Sequence, residues 1–154
     1  GLLNKYNIAF LALGLLGGML VTRQRRWLRE PAFYGMIAIA LVIVLPNALW
    51  QWRHDFPVTR HMAELSQSQL VHVDRVRFLV SQMTFFLPAL FLPLGALAGL
   101  IFYKPLRPYR IIGWTYLFTL LLFLYFRGKD YYALGLYPVL LALGSTCLEG
   151  VTRR

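Results

Sequence analysis

Residues 32–50 read AFYGMIAIALVIVLPNALW, a stretch without one Asp, Glu, Lys or Arg. A helix of that length is about 28 Å long at 1.5 Å per residue, close to the roughly 30 Å hydrocarbon core of a bilayer. Backbone polar groups in lipid must be satisfied internally, which leaves only a helix or a closed barrel. The run does not alternate polar and apolar residues, and it is about twice as long as a barrel strand. The segment is therefore expected to be a membrane-crossing helix.

Four further runs share the pattern: Tyr6–Val21, Phe78–Tyr103, Ile111–Phe126 and Tyr131–Leu148. Ile111–Phe126 is short for a full crossing, but Arg110 and Arg127 at its ends can snorkel outward. The expected fold class is all-α, a polytopic transmembrane bundle of about five spans. Composition agrees. Of 154 residues, 58% are hydrophobic and 14% charged, against about 25% charged in soluble domains, and the mean hydropathy is +0.57. These values exclude a soluble enzyme and a disordered tail. The single cysteine, Cys147, excludes an internal disulfide. The chain opens GLLNKYNIAF with no initiator Met and enters an apolar stretch almost at once, so a piece of a longer membrane protein is expected.

Sixteen Lys and Arg against six Asp and Glu give a net charge of +10. The cations lie between apolar runs rather than along one face, which points to membrane topology and not to nucleic acid. Arg23, Arg25, Arg26 and Arg29 crowd the first connection, Lys104, Arg107 and Arg110 the third, and Arg153 and Arg154 follow the last run. By the positive-inside rule, loops 22–31 and 104–110 and the C-terminus are expected to be cytoplasmic. The N-terminus, the loop Gln51–Arg77 and the turn Arg127–Asp130 then lie on the outer side. Trp27, Trp50, Trp52, Trp114, Tyr131 and Tyr132 fall near run ends, as in an aromatic belt. Pro46, Pro88, Pro93 and Pro138 fall within runs, where proline kinks or interrupts a helix.

In the outer loop, Asp55 is placed to cap a helix with Pro57 in its first turn, and Val58, Met62 and Leu65 recur at helical spacing. A short interfacial helix is expected there. His54, Asp55, His61, Glu64, His72 and Asp74 share the loop, but their loose spacing favours solvated polarity over a metal site. No cofactor is fixed by these residues, a divalent cation being the open alternative.

The densest chemistry lies in RGKDYY, Arg127 to Tyr132. Arginine offers a fixed fork of donors for phosphate, lysine a compact positive charge, and tyrosine hydroxyls complete the coordination. A lipid-linked phosphate would place its head group at this depth. A topogenic cap with an aromatic belt explains the same residues without a ligand. Lys5, beside Asn4 and Tyr6, stands on the same expected face. A lone lysine at a helix end ordinarily snorkels to water, and only the shared side makes Lys5 a second candidate phosphate contact.

Three stretches resemble a known family: GLLNKYNIAFLALGLL at the start, LPNALWQWRHDFP at the end of the second run, and FRGKDYYALGLYPVLLALG. They resemble bacterial glycosyltransferase family 39, whose members are similar to aminoarabinose transferases and protein O-mannosyltransferases. The resemblance implies a GT-C fold in a multi-pass protein of the bacterial inner membrane. It implies transfer of a sugar from a polyprenyl-phosphate carrier to a lipid or protein acceptor on the outer face, in contact with membrane lipids and without nucleic acid. Lys5, Lys129 and Tyr131 or Tyr132 match family positions implied to bind the carrier phosphate, with Arg127 beside them. Gly135 stands where family members usually carry proline. The family's acidic base lies upstream of residue 1, so the catalytic residue is not identified within this chain, and the segment alone is expected to be inactive. The competing reading is a non-enzymatic transporter, flippase or assembly subunit. Transporters tend to hold ionisable groups near the membrane midplane, whereas here the charges gather at run ends.

Overall fold

A computed structural model describes residues 7–68 and 74–153, the side chains of residues 65 and 66 excepted. Among these residues all regular structure is helical. The α-helices are α1 (Ile8–Val21), α2 (Pro31–Arg53), α3 (Pro57–Ser68), α4 (Arg75–Thr84), α5 (Phe91–Phe102), α6 (Arg110–Tyr125) and α7 (Tyr137–Thr152). Tighter 3-10 turns at Arg23–Arg29, Leu87–Ala89, Lys104–Tyr109 and Asp130–Leu136 join several of them. The protein is an all-α membrane protein. Two helical stretches, Pro31–Arg53 and Asp130–Thr152, are long and apolar enough to cross a bilayer, and α1 with the Arg23–Arg29 turn makes a third if that pair counts as one span.

Two helix pairs form the packed part of the molecule: α1 against α6, and α5 against α7. Both depend on glycine. In α1, Gly14 and Gly18 are one helical turn apart and face Thr119 and Thr115 of α6. A Cβ on Gly18 would lie 2.8 Å from the Thr115 hydroxyl and 3.0 Å from the Ile111 carbonyl, and one on Gly14 would run into the Thr119 hydroxyl. Lipid supplies little hydrophobic force between helices, so close approach over small residues is what holds them together. The order of these contacts makes the pair antiparallel. In the second pair, Gly144 of α7 rests on the Leu92 backbone, where a Cβ would lie 2.6 Å from the carbonyl carbon, and Gly99 of α5 faces the Cys147 sulfur. Arg110 joins the two pairs, donating from Nε to the Leu100 carbonyl and from Nη2 to that of Ile101, both at 2.8 Å. Those carbonyls belong to the last turn of α5, which has no intrahelical donors left for them.

The apolar run Phe78–Tyr103 does not form one helix. α4 starts earlier, at Arg75, where Asp74 Oδ1 accepts the Val76 amide at 2.8 Å. It ends at Thr84, before Pro88 removes a donor, and α5 resumes at Phe91. Pro138 falls in the first turn of α7, where proline is tolerated, and so does not kink a helix interior. In the loop after α2, Asp55 and Phe56 both have left-handed φ values, 55° and 49°. The cap expected of Asp55 is provided instead by Gln51, whose Oε1 accepts the Val58 amide at 3.4 Å. α3 follows as expected, exposed over most of its length. α2 buries no residue, and its apolar side chains face outward all round, the surface a bilayer solvates.

Gly144→Ala in the purified full chain is expected to lower the thermal unfolding midpoint in detergent, because the Leu92 backbone cannot yield, at a cost of about 1–3 kcal/mol. Gly35→Ala on the open face of α2, with nothing within 4 Å, is expected to leave the midpoint unchanged or raise it. Equal effects at the two positions would refute the packing account.

Candidate functional site

The RGKDYY segment is built on the C-terminal end of α6. The Gly128 amide donates to the Phe123 carbonyl at 2.7 Å, and the Phe126 amide to that of Leu122 at 2.9 Å. With Arg127 at φ 53° between them, this is a Schellman stop, in which the residue after the cap adopts the left-handed conformation. Glycine ordinarily takes that place. Here glycine is one position later, where a Cβ would meet the Phe123 ring at 2.9 Å, and the strained position carries an arginine. A non-glycine residue held there costs about 1 kcal/mol. The Arg127 side chain is exposed, while Lys129 and Asp130 are half-buried.

Beyond the stop, Lys129 is extended, and its carbonyl accepts the Tyr132 amide at 3.1 Å. Asp130 Oδ1 accepts the Tyr131 amide at 2.9 Å, which opens the 3-10 turn into α7. The two tyrosines divide. Tyr131 is exposed, whereas the Tyr132 ring packs 5.8 Å from that of Phe123, beside the buried Phe78 and Ala133. Tyr131 thus presents its hydroxyl outward, and Tyr132 anchors the turn to the core.

Two residues that the sequence reading did not place in the site support it. Gln82, 5% exposed in α4, donates from Nε2 to the Asp130 carbonyl at 2.9 Å and to the Phe78 carbonyl at 3.2 Å. The buried Tyr137 hydroxyl donates to the Gln82 carbonyl at 3.0 Å, with Gln82 Oε1 at 3.2 Å, and lies 3.2 Å from the Tyr116 hydroxyl. This polar cluster ties α4, α6 and α7 together directly beneath the turn. Arg75, at the start of α4, donates from Nε to the Leu124 carbonyl at 3.3 Å and adds a third cation at the end of α6. The one signal in the sequence for Gln82 is a polar side chain inside an apolar run.

α1 reaches the same end of α6, where the Phe10 ring lies 5.2 Å from Phe123 and 5.5 Å from Phe126. Lys5, expected to join Arg127 and Lys129, lies outside the described residues, as does His72. Of the histidines and carboxylates around 54–74, His54 Nδ1 is 2.8 Å from the Trp50 carbonyl, and its ring stacks on that indole at 4.4 Å. Among the described residues no three His, Cys, Asp or Glu side chains gather as a metal-binding group.

The geometry makes Gln82 the brace of the turn. Gln82→Leu leaves the Asp130 carbonyl without its side-chain donor, a loss of about 1–3 kcal/mol. The expected readout is faster amide hydrogen exchange at Tyr132 together with a lower unfolding midpoint. Tyr137→Phe keeps the bond from Gln82 to Asp130 and is expected to leave exchange at Tyr132 close to wild type.

Residues 1–50 match the family model described as dolichyl-phosphate-mannose-protein mannosyltransferase. The match takes in the opening stretch GLLNKYNIAFLALGLL and the LPNALW that ends the second apolar run, and it stops short of RGKDYY. No curated protein and no solved structure matches the chain. Over its first fifty residues the chain is therefore similar to membrane glycosyltransferases of the GT-C type, and the match supports a glycosyltransferase-like membrane segment.

Proposed function

We propose that the chain forms the donor-phosphate end of a membrane glycosyltransferase, which takes a sugar from a polyprenyl-phosphate carrier and passes it to a lipid or protein acceptor. The observation that carries this reading is Arg127, an exposed arginine held in a conformation suited to glycine, two residues before Lys129. Strain of this kind clusters at functional sites, and here it falls within the densest group of phosphate-binding side chains. Glycine is the usual residue at such a cap.

As the acceptor oxygen bonds to the anomeric carbon, the bond from that carbon to the carrier's phosphate oxygen breaks, and negative charge collects on the departing phosphate. Arg127 offers a fork of N–H donors to those oxygens, Lys129 a point charge, and Tyr131 a hydroxyl. Donors fixed before the reaction stabilise that charge without reorganising, and Gln82 supplies the rigidity. Lys5 is assigned the second phosphate contact. In this reading loops 22–31 and 104–110 face the cytoplasm of a bacterial cell and the RGKDYY turn faces outward. Asp74 and Asp130, the carboxylates near the turn, each accept a backbone amide, and the base that deprotonates the acceptor is assigned to a part of the enzyme outside residues 1–154.

The test uses the full-length enzyme with a polyprenyl-linked donor. Lys129→Ala and Lys5→Ala are expected to lower transfer, the former by about 10²-fold, the usual effect of removing one charge-stabilising donor. Arg127→Gly separates chemistry from folding, because glycine relieves the strain. It is expected to raise the unfolding midpoint while transfer falls. Activity within about twofold of wild type for all three variants, against the 10²-fold loss that phosphate stabilisation demands, would overturn the proposal.

A further inference from the structure

The opposite end of the α1–α6 pair carries a second cationic feature, which the transferase reading does not use. α1 ends at Val21, and the chain turns by 110° into Arg23–Arg29. The Lys104–Tyr109 turn meets it there, and Gln24 Nε2 donates to the Pro108 carbonyl at 2.9 Å across 84 residues of sequence. Between the two turns lies a recess of about 540 Å³, lined by the guanidinium-bearing Arg23, Arg26, Arg107 and Arg110 with Gln24 and Trp114. No carboxylate lines it. The four arginines are exposed and can be reached.

A positive-inside loop needs cations near the membrane but not around one concavity. Four arginines around one recess raise its positive potential, which favours an anion among them. Several features make this a shaped site. The Gln24 bond fixes one turn against the other. Arg110 is held in place by the Leu100 and Ile101 carbonyls, which leaves part of its donor fork uncommitted. Trp114, one turn into α6 and exposed, lies on the lining with Val21, so the recess has an apolar side as well as a cationic one. An indole at that depth is suited to the glycerol region of a lipid.

We propose that this recess binds the phosphate of an anionic membrane phospholipid, with Arg23, Arg26 and Arg107 on the phosphodiester oxygens and Trp114 beside the glycerol backbone. The ligand chemistry is a phosphate ester, and basic pockets of this kind between helices hold anionic head groups. The site is separate from the RGKDYY turn, about 24 Å away along the sixteen residues of α6, and does not depend on the proposed transferase activity.

The test is native mass spectrometry of the full chain in detergent, equilibrated with phosphatidylglycerol or with phosphatidylcholine. Phosphatidylglycerol is expected to be retained at least about tenfold better, with one lipid per chain. The double variant Arg26→Lys and Arg107→Lys keeps net charge and topology but loses bidentate geometry, and is expected to retain it about tenfold less well. The control Arg53→Lys with Arg60→Lys, in the other loop, is expected to retain it as wild type does. Equal retention of the two lipids, or full retention by the Arg26→Lys and Arg107→Lys variant, would overturn the proposal. Displacement of the lipid by inorganic phosphate at about 1 mM, a concentration at which a head-group site anchored by its apolar side should hold its lipid, would assign the recess to a soluble phosphate and overturn the lipid assignment.

Discussion

The contact of Gly14 and Gly18 with Thr119 and Thr115 sets how closely α1 and α6 approach, and both cationic ends of the molecule are built on that pair. It brings α1 and α6 close enough that a single added methyl would not fit, and neither threonine hydroxyl has a hydrogen-bond partner among the described residues. Small residues on one helix and short polar ones on the other are what membrane helices use where burial alone gives little force. Because the pair is antiparallel, each of its ends gathers pieces from distant parts of the sequence. At one end the start of α1, the end of α6 and the start of α4 converge on RGKDYY. At the other, two arginine-bearing turns face each other across a recess.

The two ends use cations in different ways. At the RGKDYY turn the charge sits on the C-terminal carbonyls of α6, the negative end of its dipole, and Arg75 contributes by bonding the Leu124 carbonyl. A cap would need no more than that. The left-handed Arg127, the close fit of Gly128 on Phe123 and the buried brace from Gln82 go further, because they fix the backbone path of the turn. At the other end the arginines are brought together by tertiary structure, since Arg23 and Arg107 are far apart in sequence. Both proposed sites rest on the same helix pair, so a change at Gly14 or Gly18 reaches both.

How much of this was legible in the sequence depends on the kind of force involved. The second apolar run could be read directly, since uniform apolarity over its length has one solution in lipid, and α2 spans it. The helical character of the other runs followed in the same way. The break in Phe78–Tyr103 was only half legible. Pro88 and Pro93 announced an interruption, but the capping role of Asp74 and the early start of α4 depend on local hydrogen bonds that hydropathy does not register. The short 3-10 turns were not legible, because their residues carry no distinctive period. RGKDYY stood out by its charge density, and the fifty matched residues at the start support the family reading without reaching that segment. Gln82 was missed because one glutamine does little to an apolar average, and its partners, the Asp130 carbonyl and Tyr137, come from 48 and 55 residues away. The arginine recess was missed for a related reason. Its members lie in separate loops of the sequence, and topology alone accounts for the charge of each.

The central claim is that the RGKDYY turn holds the phosphate of a lipid carrier. The most direct measurement is photo-crosslinking of the full-length enzyme with a polyprenyl phosphate that carries a diazirine next to the phosphate, followed by peptide mapping. Label is expected within Arg127–Tyr132, suppressed by excess unlabelled polyprenyl phosphate. Label confined to the arginine recess at 23–26 and 107–110, with Arg127–Tyr132 untouched, would contradict it.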